Sequence, residues 1–496
     1  MNPTVESTLT KVNEFLSQSS LKAFVGGEWV AATDGTTLTT RDPGTGAPLA
    51  EVPAMGAQDV DRAVRAATHA FRSSGWAEMP PNERGALLHR LADEVEKHKA
   101  ILARIEASDA GKVLAQAEGD IQNFVDTMRY FIEISLHVQR RTPLAVKGHE
   151  ASTVRIPWGP CGFIVPWNFP FLLVGWNIAP ALAAGNTVVI KPAEDTPLST
   201  LYLGQLAQKA GLPSGVINVV TGYGATAGAA LASHPGLKRM SFTGSPEVGR
   251  LVAEASARNL TPVKLELGGK GAAVIFDDVD LDATAAKLVG AITFHTGQVC
   301  CDATRWLVQR SIYDRFVNNC VDRMKSVQVG YQLDPATQMG PVVSAKQRDR
   351  VLRYLERGQA EGAELLLAGG AASVPGRDGF YVKPALLAGG LDNVAAREEI
   401  FGPVAYLTPF DSEAQAISLA NDTDYGLANS VWSADLDRAR RVAERMVAGN
   451  SWINAHNVFA HGVPYAGINK SGMGGGVLSF ETYLDYTRGL SVVRPL

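Results

Sequence analysis

The stretch CGFIVPWNFPFLLVGWNIAPALAAGNTVVIKPAE, residues 161–194, decides the fold class. Two β-rich runs, CGFIVPW and NTVVIKP, enclose an apolar segment, and further β-rich runs follow as VINVVTG, MSFTG, KLELGG and GAAVIFDD. Helical stretches such as LSTLYLGQLAQKAG and ATAGAALASH separate these later runs. Alternation of strands and helices predicts parallel sheets with crossover helices, and therefore an α/β fold.

Regular patterns extend on both sides of this block. Apolar residues recur at helical spacing over residues 81–136, which predicts helices there. A second alternating block contains the run RWLVQ, an amphipathic helix near Ser311 to Ser326, and the strand-like VAYLTPF. The C-terminal stretch LDYTRGLSVVRPL has an extended pattern. Such a strand needs a partner edge, either within the chain or on another subunit.

Size and charge narrow the class of protein. A chain of 496 residues exceeds what one core usually supports, so two or three domains are expected. The net charge of −4, without a cluster of Lys and Arg, argues against nucleic acid as a partner. The longest apolar stretch, Phe169 to Ala184, is interrupted by two prolines and an asparagine. It is too short and too broken to predict a membrane span.

The cysteines indicate a reducing compartment. Cys161, Cys300, Cys301 and Cys320 are too few for a disulfide scaffold in a chain of this length. Their spacing does not suggest zinc, so no metal is predicted. The first residues, MNPTVESTLTKVNEF, lack the apolar core of a secretory signal. A cytoplasmic location is therefore expected.

Cys300, in FHTGQVCCDATR, is the first candidate for chemistry. It follows a glycine-containing turn and precedes a β-rich run, so we expect it on a loop where a thiolate can act as a nucleophile. His295 could assist as a base or as a cation, whereas Asp302 would raise the pKa of the thiol if it lay close. The alternative interpretation makes Cys300 and Cys301 two small buried apolar residues.

Glu266 and Asn168 are candidates for the base and for stabilising an oxyanion. Glu266, in KLELGGK, can act as a general base if partial burial raises its pKa. The alternative is a capping or structural carboxylate paired with Lys264 or Lys270. Asn168, in PWNFP, is held by flanking prolines, and one preorganised amide donor is worth about 3–4 kcal/mol in acyl-transfer sites. It can equally be a turn residue bonded to its own backbone.

Three segments are candidates for holding a dinucleotide. GYGATAG at 222–228 is one residue off the usual fingerprint, and FTGSPEVG places Gly244, Ser245 and Gly249 at a strand-to-helix turn. Lys191 and Glu194 follow the strand-like NTVVI, where ligands of open α/β sheets collect. A carboxylate there can accept hydrogen bonds from a ribose 2′-hydroxyl, which favours NAD⁺ over NADP⁺.

Taken in order, these segments resemble the aldehyde dehydrogenase superfamily, in its NAD(P)-dependent, hydrolytic, non-CoA-acylating type. The resemblance is carried by PWNFP (166–170), KPAE (191–194), GYGATAGAALASH (222–234), FTGS (242–245), ELGGK (266–270), GQVC (297–300) and EEIFGPV (398–404). These seven segments span about 240 residues, and the 34-residue step from Glu266 to Cys300 also fits the family. The resemblance implies oxidation of an aldehyde to the carboxylic acid through a cysteine thiohemiacetal and a thioester.

The resemblance also implies a fold and its domains. A Rossmann-like NAD(P)-binding domain is expected over residues 1–136 and 158–267, and an α/β catalytic domain over 268–476. A small β arm, from 137–157 and 477–496, is expected to build a homodimer or homotetramer. The partners implied are a small aldehyde and other copies of the chain, with no nucleic acid and no membrane.

Roles for individual residues follow from the same resemblance. Cys300 is implied as the nucleophile and Glu266 as the general base, while Asn168 and the Cys300 backbone N–H stabilise the oxyanion. The implied cofactor-binding residues are Ile164, Pro166, Trp167, Lys191, Glu194, Gly224, Phe242, Gly244, Ser245, Val248, Leu267, Glu399 and Phe401. The implied substrate tunnel, lined by Phe169, Trp176, Phe459 and Tyr465, suits an aliphatic or aromatic aldehyde better than a highly charged one.

The sequence departs from the family pattern at three places. Asn469 stands where the family usually has a lysine, and Asp302 follows the cysteine pair where small neutral residues are more common. Gly475 and Gly476 replace a usual Arg-Glu pair, which removes a carboxylate that many relatives have. These changes concern substrate choice and the route by which a proton leaves.

Three alternative functions remain open at this point. A CoA-acylating relative would pass the thioester to CoA, but such relatives typically lack the carboxylate of Glu266. A catalytically silent relative would keep the fold without turnover. A cysteine hydrolase using His295 with Cys300 would need no nicotinamide, and would leave the Lys191–Glu194 and Glu399 segments without a role.

Overall fold

The computed structural model describes residues 3–18 and 20–496. Its strands are β1 (Ala23–Val25), β2 (Glu28–Val30), β3 (Thr37–Arg41), β4 (Pro48–Pro53), β5 (Arg141–Val146), β6 (His149–Pro157), β7 (Pro160–Ile164), β8 (Thr187–Lys191), β9 (Ile217–Val219), β10 (Arg239–Thr243), β11 (Val263–Glu266), β12 (Gly271–Ile275), β13 (Ala303–Gln309), β14 (Glu364–Leu367), β15 (Gly370–Ala371), β16 (Val382–Lys383), β17 (Ala385–Ala388), β18 (Val404–Phe410), β19 (Ala428–Trp432), β20 (Asn450–Ile453), β21 (Gly472–Met473) and β22 (Thr487–Pro495).

The helices alternate with these strands through most of the chain. They are α1 (Pro3–Leu16), α2 (Ala57–Ser73), α3 (Pro81–Lys97), α4 (Lys99–Ala110), α5 (Leu114–His137), α6 (Pro170–Ala183), α7 (Leu198–Ala210), α8 (Ala229–Ala232), α9 (Pro246–Ala257), α10 (Leu281–Thr293), α11 (Tyr313–Ser326), α12 (Ala345–Ala360), α13 (Val394–Arg397), α14 (Glu413–Asn421), α15 (Leu436–Ala443) and α16 (Phe480–Asp485). The helices predicted over 81–136 are confirmed as α3, α4 and α5.

The first sheet has the strand order β2-β1-β9-β8-β7-β10-β11-β21, and its central strands β9, β8, β7, β10 and β11 run parallel. Ile164 lies opposite both Lys191 and Phe242, while Thr243 lies opposite Glu266. The carboxyl ends of these strands therefore meet at one edge. Crevices at this edge are where open α/β sheets bind ligands.

The second sheet has the order β14-β17-β18-β13-β12-β19-β20 and is parallel except for β14. Its strands β12, β13 and β19 are buried along nearly their whole length, as expected for a parallel sheet covered on both faces. The turn that carries Cys300 leads from α10 into β13.

A third sheet joins β22, β6 and β5. The C-terminal stretch is extended as predicted, and its partner edge lies within the chain, since β22 pairs with β6 along its full length from Thr487 to Pro495. Every residue of β5 is exposed. This sheet therefore offers an open edge and face to solvent.

The α/β fold class is confirmed, while the predicted domain boundaries stay a prediction. β21 lies within the range 268–476 but hydrogen-bonds to β11 of the first sheet, so the chain returns to that sheet near its C-terminus. The apolar segment predicted not to span a membrane forms α6, whose Phe171 packs on Phe124 of α5 with ring centroids 4.5 Å apart. No helix in residues 3–18 and 20–496 is long and apolar enough to cross a membrane.

Candidate active site

A cavity of about 940 Å³ opens at the carboxyl edge of the first sheet and reaches the turn before β13. All three predicted catalytic residues line it: Cys300, Glu266 and Asn168. Fifteen of the twenty predicted site residues are in its wall. Besides the three catalytic residues, these are the four aromatic residues Phe169, Trp176, Phe459 and Tyr465 and the eight cofactor candidates Pro166, Trp167, Gly244, Ser245, Val248, Leu267, Glu399 and Phe401.

The remaining five cofactor candidates lie beside this cavity rather than in its wall. Lys191 Nζ donates to Glu194 Oε2 at 3.0 Å, and the Gly224 backbone N–H donates to Glu194 Oε1 at 3.4 Å. Ile164 and Phe242 occupy the ends of β7 and β10, next to the end of β8 that carries Lys191. The structure thus brings these five together as a separate group along the same sheet edge.

The Lys191–Glu194 pair has the chemistry that a ribose needs. The lysine side chain is buried, and burial lowers its pKa, which the neighbouring Glu194 carboxylate partly opposes. The Glu194 side chain keeps 38% of its surface exposed while already fixed by two donors. An oriented carboxylate with free surface can accept hydrogen bonds from ribose hydroxyls. These residues therefore fit the adenosine side of a nicotinamide dinucleotide.

The loop that carries Cys300 is wound into an unusual backbone conformation. His295, Thr296 and Gly297 all have positive φ, at 45°, 58° and 69°. Thr296 Oγ1 donates to the Gly340 carbonyl at 2.9 Å. A Cβ at Gly297 would overlap the backbone of Gly402, so only glycine allows this close approach. The surrounding structure must therefore hold this loop in place, since the conformation is costly for non-glycine residues.

Gln298, which the sequence reasoning did not single out, links the loop to the predicted oxyanion donor. Asn168 Nδ2 donates to the Gln298 carbonyl at 2.9 Å. The Gln298 side chain donates to the His295 carbonyl at 3.0 Å and accepts from the Val343 N–H at 3.0 Å. Because Nδ2 carries two hydrogens, one remains for a ligand. Only a three-dimensional contact reveals this role for a buried glutamine.

The environment of Cys300 favours its thiolate. A hydrogen bond from the Cys301 thiol lowers the pKa of Cys300 below its usual value; burial acts in the opposite direction, and the Tyr465 hydroxyl, 3.6 Å from Sγ, lowers it further. The other cysteines are buried, and burial raises the pKa of Cys161 to about 12. Burial likewise raises the pKa of Cys301. Cys300 is thus the cysteine suited to act as nucleophile.

Two neighbours of the thiol behave differently from the expectations stated above. Burial and the charge of Lys112 lower the pKa of His295 well below its usual value, and a contact with the Asn168 backbone opposes this only in part. It is therefore a neutral residue that cannot act as a cation, and it does not line the cavity. Burial raises the pKa of Asp302 well above its usual value, which disfavours the negative charge that would oppose ionisation of Cys300.

Glu266 is buried at the end of β11, where it faces the cavity. No ion pair to Glu266 is found among the residues that the structure describes, so a salt-bridged role is not seen, although the Gly467 backbone N–H acts on the carboxylate and lowers its pKa. Burial raises its pKa, while the charge of Lys264 opposes the rise and Cys300 adds to it. A carboxylate with a raised pKa that faces a thiol has the properties of a general base near neutral pH.

The two glycines after Glu266 allow close packing that the sequence reasoning did not foresee. A Cβ at Gly268 would overlap the Glu399 carboxylate, and one at Gly269 would lie against the Cys300 carbonyl. The Gly269 N–H donates to Glu399 Oε1 at 3.0 Å. Glycine is needed here because the backbone of one sheet approaches the loop and carboxylate of the other.

Glu399 and Phe401, which line the cavity, are held in place by α12. Arg350 Nη2 donates to the Glu399 carbonyl at 2.6 Å, and Gln347 Nε2 donates to the Phe401 carbonyl at 2.6 Å. Phe401 adopts a positive φ of 63°. A non-glycine residue in this region is strained, and the α12 side chains supply contacts that fix it. Arg350 and Gln347 also line the cavity and were not predicted.

The four predicted aromatic residues form much of the opposite wall. The Trp176 ring lies 5.3 Å from Phe459 and 5.9 Å from Tyr465, and Phe459 lies 5.3 Å from Tyr465. Phe169 stacks with Phe294 at 6.3 Å. Trp176 Nε1 donates away from this wall, to Asn123, at 2.6 Å. The surface facing the cavity is therefore largely apolar and suits an apolar ligand.

Tyr465→Phe tests the electrostatics of the thiol. Removal of the hydroxyl takes away a group that lowers the pKa of Cys300, so that pKa is expected to rise. Since the thiolate is the reactive form, the acid limb of kcat/KM should shift to higher pH, while activity well above the limb changes little. A pH series of initial rates measures the shift, and an unmoved limb would show that Tyr465 does not influence ionisation.

Comparisons with known proteins agree with the geometry. The profile of the Aldehyde dehydrogenase family matches residues 29–490. Retinal dehydrogenase 2 of Homo sapiens is 42% identical over 457 residues, which cover 91% of this chain and 88% of the relative.

Solved structures of similar proteins cover almost the whole chain. The NAD⁺ complex of an aldehyde dehydrogenase from Bacillus cereus is 38% identical, with a TM-score of 0.95 and coverage of 100% of this chain and 99% of that chain. Betaine aldehyde dehydrogenase from Staphylococcus aureus, also in complex with NAD⁺, is 34% identical, with a TM-score of 0.94 and coverage of 98% and 97%. The chain belongs to the aldehyde dehydrogenase family.

Proposed function

We propose that Cys300, Glu266 and Asn168 oxidise an apolar aldehyde to its carboxylic acid, with NAD⁺ as oxidant. The observation that carries this proposal is that a thiol with a lowered pKa, a carboxylate with a raised pKa and a fixed amide all line one cavity. Their opposite pKa shifts match opposite tasks, since the nucleophile must ionise readily and the base must hold a proton near neutral pH.

The first half of the reaction forms a bond to Cys300. Its thiolate adds to the aldehyde carbon, and the carbonyl oxygen becomes an alkoxide. The second Asn168 N–H and the Cys300 backbone N–H donate to this oxygen, which is where negative charge develops. Bound NAD⁺ supplies a hydride acceptor, and the group left on Cys300 is then a thioester.

The second half releases the product. Glu266 in its carboxylate form removes a proton from water as the water oxygen adds to the thioester carbon. The same two N–H donors stabilise the oxygen again, the C–S bond breaks, and the carboxylic acid leaves with the thiolate restored. Because the reaction is divided into two steps, each step has a lower barrier than a single direct step would have. The proton taken by Glu266 must leave before the next catalytic cycle.

Two groups of residues would hold NAD⁺. Lys191 and Glu194 would bind the adenosine ribose, and Glu399 and Phe401 would position the nicotinamide ribose and ring. Ser245 begins α9 as its N-cap and lines the cavity, so the N-terminus of that helix faces the region between them. Helix N-termini favour phosphate groups. The carboxylate of Glu194 would repel a 2′-phosphate, which favours NAD⁺ over NADP⁺.

The proposal extends to assembly, location and domains. The exposed sheet of β5, β6 and β22 carries five exposed apolar side chains, Leu144, Val146, Leu490, Val492 and Val493, and would join copies of the chain into a dimer or tetramer. Four unpaired cysteines suit a reducing cytoplasm. The first sheet would form the cofactor-binding domain and the second the catalytic domain, with boundaries as predicted.

A panel of aldehydes tests the proposed function directly. NADH absorbance is measured with NAD⁺ and NADP⁺, each with and without CoA. Turnover without CoA, fastest for apolar aldehydes and with NAD⁺, is expected because Glu266 activates water. Strict CoA dependence would favour the acylating alternative, and cofactor binding without turnover of any aldehyde would favour the silent one. The hydrolase alternative is disfavoured by the neutral His295, which makes no hydrogen bond with Cys300.

A further inference from the structure

Lys264 is a buried cation that neither the resemblance nor the mechanism above uses. It lies two residues before Glu266 on β11, so both side chains point to the same face of the sheet. It is fully buried, and within residues 3–18 and 20–496 its ammonium has no hydrogen-bond partner. An unpaired buried ammonium costs stability, so its presence requires a reason.

The charges around Lys264 extend from the cavity towards the surface. Burial lowers its pKa, whereas Glu266 on β11 and Asp485 at the end of α16 raise it, and Arg239 on β10 lowers it further. Arg239 Nη2 lies 3.5 Å from Asp485 Oδ2. The Asp485 side chain is 34% exposed, whereas Glu266 is almost fully buried. Ser241 of β10 lies opposite Lys264, and Arg239 lies two residues earlier on β10, so Arg239, Lys264 and Glu266 share one face of the sheet and Asp485 contacts that face through Arg239.

The departure at Gly475 and Gly476 makes room for this arrangement. A Cβ at Gly475 would overlap the Asp485 carboxylate, and one at Gly476 would lie against the Tyr465 carbonyl. The adjoining strand β21 pairs with β11, with Gly472 opposite Glu266. Side chains are thus excluded at both glycines, and the Asp485 carboxylate of α16 occupies the space against Gly475.

We propose that Lys264 and Asp485 carry the proton from Glu266 to solvent after each hydrolysis. The inference rests on the proposed function, because it needs Glu266 to act as the base. The Lys264 ammonium first gives a proton to the Asp485 carboxylate, which releases it to bulk water. The neutral amine then takes the proton of protonated Glu266 and becomes an ammonium again. Each group ends in its starting state, and no redox change is involved.

The ionisation of the pair suits this transfer. Burial raises the pKa of Glu266 and lowers that of Lys264, so the two values move towards one another. Proton transfer between groups of similar pKa is close to balanced in free energy and can run quickly. The flexible four-carbon stem of a lysine lets its amine turn between the two carboxylates.

Lys264→Met tests the relay by separating the two half-reactions. Hydride transfer should keep its rate, while hydrolysis slows, so a burst of NADH is expected to precede a steady state about tenfold slower than that of the natural protein. The solvent deuterium isotope effect on steady-state turnover should rise. Stopped-flow absorbance at several pH values, in H₂O and D₂O, gives both readings, with thermal melting as the check on folding.

Lys264→Arg distinguishes a role of residue 264 in proton transfer from a role as a fixed positive charge. Arginine keeps the positive charge but does not deprotonate in proteins, so it should be as slow as the methionine variant. Recovery of full turnover by arginine would overturn the relay and show that only a cation is needed. Unchanged burst, isotope effect and pH profile in Lys264→Met would also overturn it.

Asp485→Asn and Glu481→Gln form a matched pair on the same short helix. Both acids are on α16, but only Asp485 acts on Lys264. Asp485→Asn should slow hydrolysis in the same way as Lys264→Met, and Glu481→Gln, which removes only a charge that raises the pKa of Asp485, should slow it far less. This pair keeps the test decisive if Lys264→Met fails to fold. A normal NADH burst in these variants shows that the Cys300 chemistry is intact, so failure of the relay is separable from failure of the proposed function.

Discussion

Cys300→Ala is expected to lower kcat/KM for aldehyde oxidation by roughly 10⁴-fold or more. Without the sulfur no covalent intermediate forms. The reaction then has to pass one high barrier instead of the two lower barriers of the covalent route. No other cysteine can substitute, because Cys301 is buried and burial raises the pKa of its thiol. Initial rates of NADH formation, with enzyme concentration raised to reveal weak activity, measure the effect.

The control for this variant is Cys320→Ala. Cys320 is buried in α11, outside the cavity wall, so its loss should leave the rate nearly unchanged. Binding of NAD⁺ is measured by the quenching of tryptophan fluorescence. Equal binding to the natural protein and to Cys300→Ala would show that the rest of the site is intact. Substantial turnover in Cys300→Ala would remove Cys300 as nucleophile.

Glu266→Gln is expected to give one NADH per active site in a burst and then only slow turnover. The amide keeps the shape of the side chain but cannot take a proton from water, so the thioester accumulates. Steady-state turnover should fall by about 10²- to 10⁴-fold, the range for loss of a general base. Rapid-mixing absorbance measures the burst, and mass spectrometry measures acylated Cys300.

The pH dependence follows from the direction of the pKa shift. Burial raises the pKa of Glu266, and only the carboxylate form above that pKa can act as base. Hydrolysis should therefore speed up as pH rises through neutrality, and Glu266→Gln should lose this limb. Hydroxylamine, a nucleophile that needs no base, should restore turnover to the variant. Slow steady turnover without a burst would mean instead that Glu266 acts before hydride transfer.

Much of the fold could be predicted because local signals agreed with each other. The run GAAVIFDD became β12 and VAYLTPF became β18, since continuous apolar runs between turns have few alternatives in a parallel sheet. The family, fold class, aldehyde dehydrogenase activity and NAD cofactor are confirmed by the comparisons. Short signature motifs carried this information because glycine, proline and catalytic side chains occur in them at fixed spacing.

What the sequence could not reveal were contacts between distant segments. His295 was considered as a cation, but burial by residues far away in the sequence makes it neutral. Asp302 was expected to raise the pKa of the thiol if it lay close, yet burial raises the pKa of Asp302 itself and so disfavours its charged form. Gln298 and Gly269 lie in signature motifs, but their contacts are with partners more than 25 residues away, which the motifs do not reveal. The individual site assignments stay predictions until the variants are measured.

The proposed nucleophile, Cys300, belongs to the turn before β13 in the second sheet, whereas the proposed base and amide, Glu266 and Asn168, belong to β11 and the β7–α6 turn of the first. The hydrogen bonds from Asn168 to Gln298 and from Gly269 to Glu399 tie these halves together. Neither half alone carries a working centre. Partial loosening between the sheets would silence turnover while helices and strands persist, so enzymatic rate reports on the docking of the halves more sensitively than circular dichroism does.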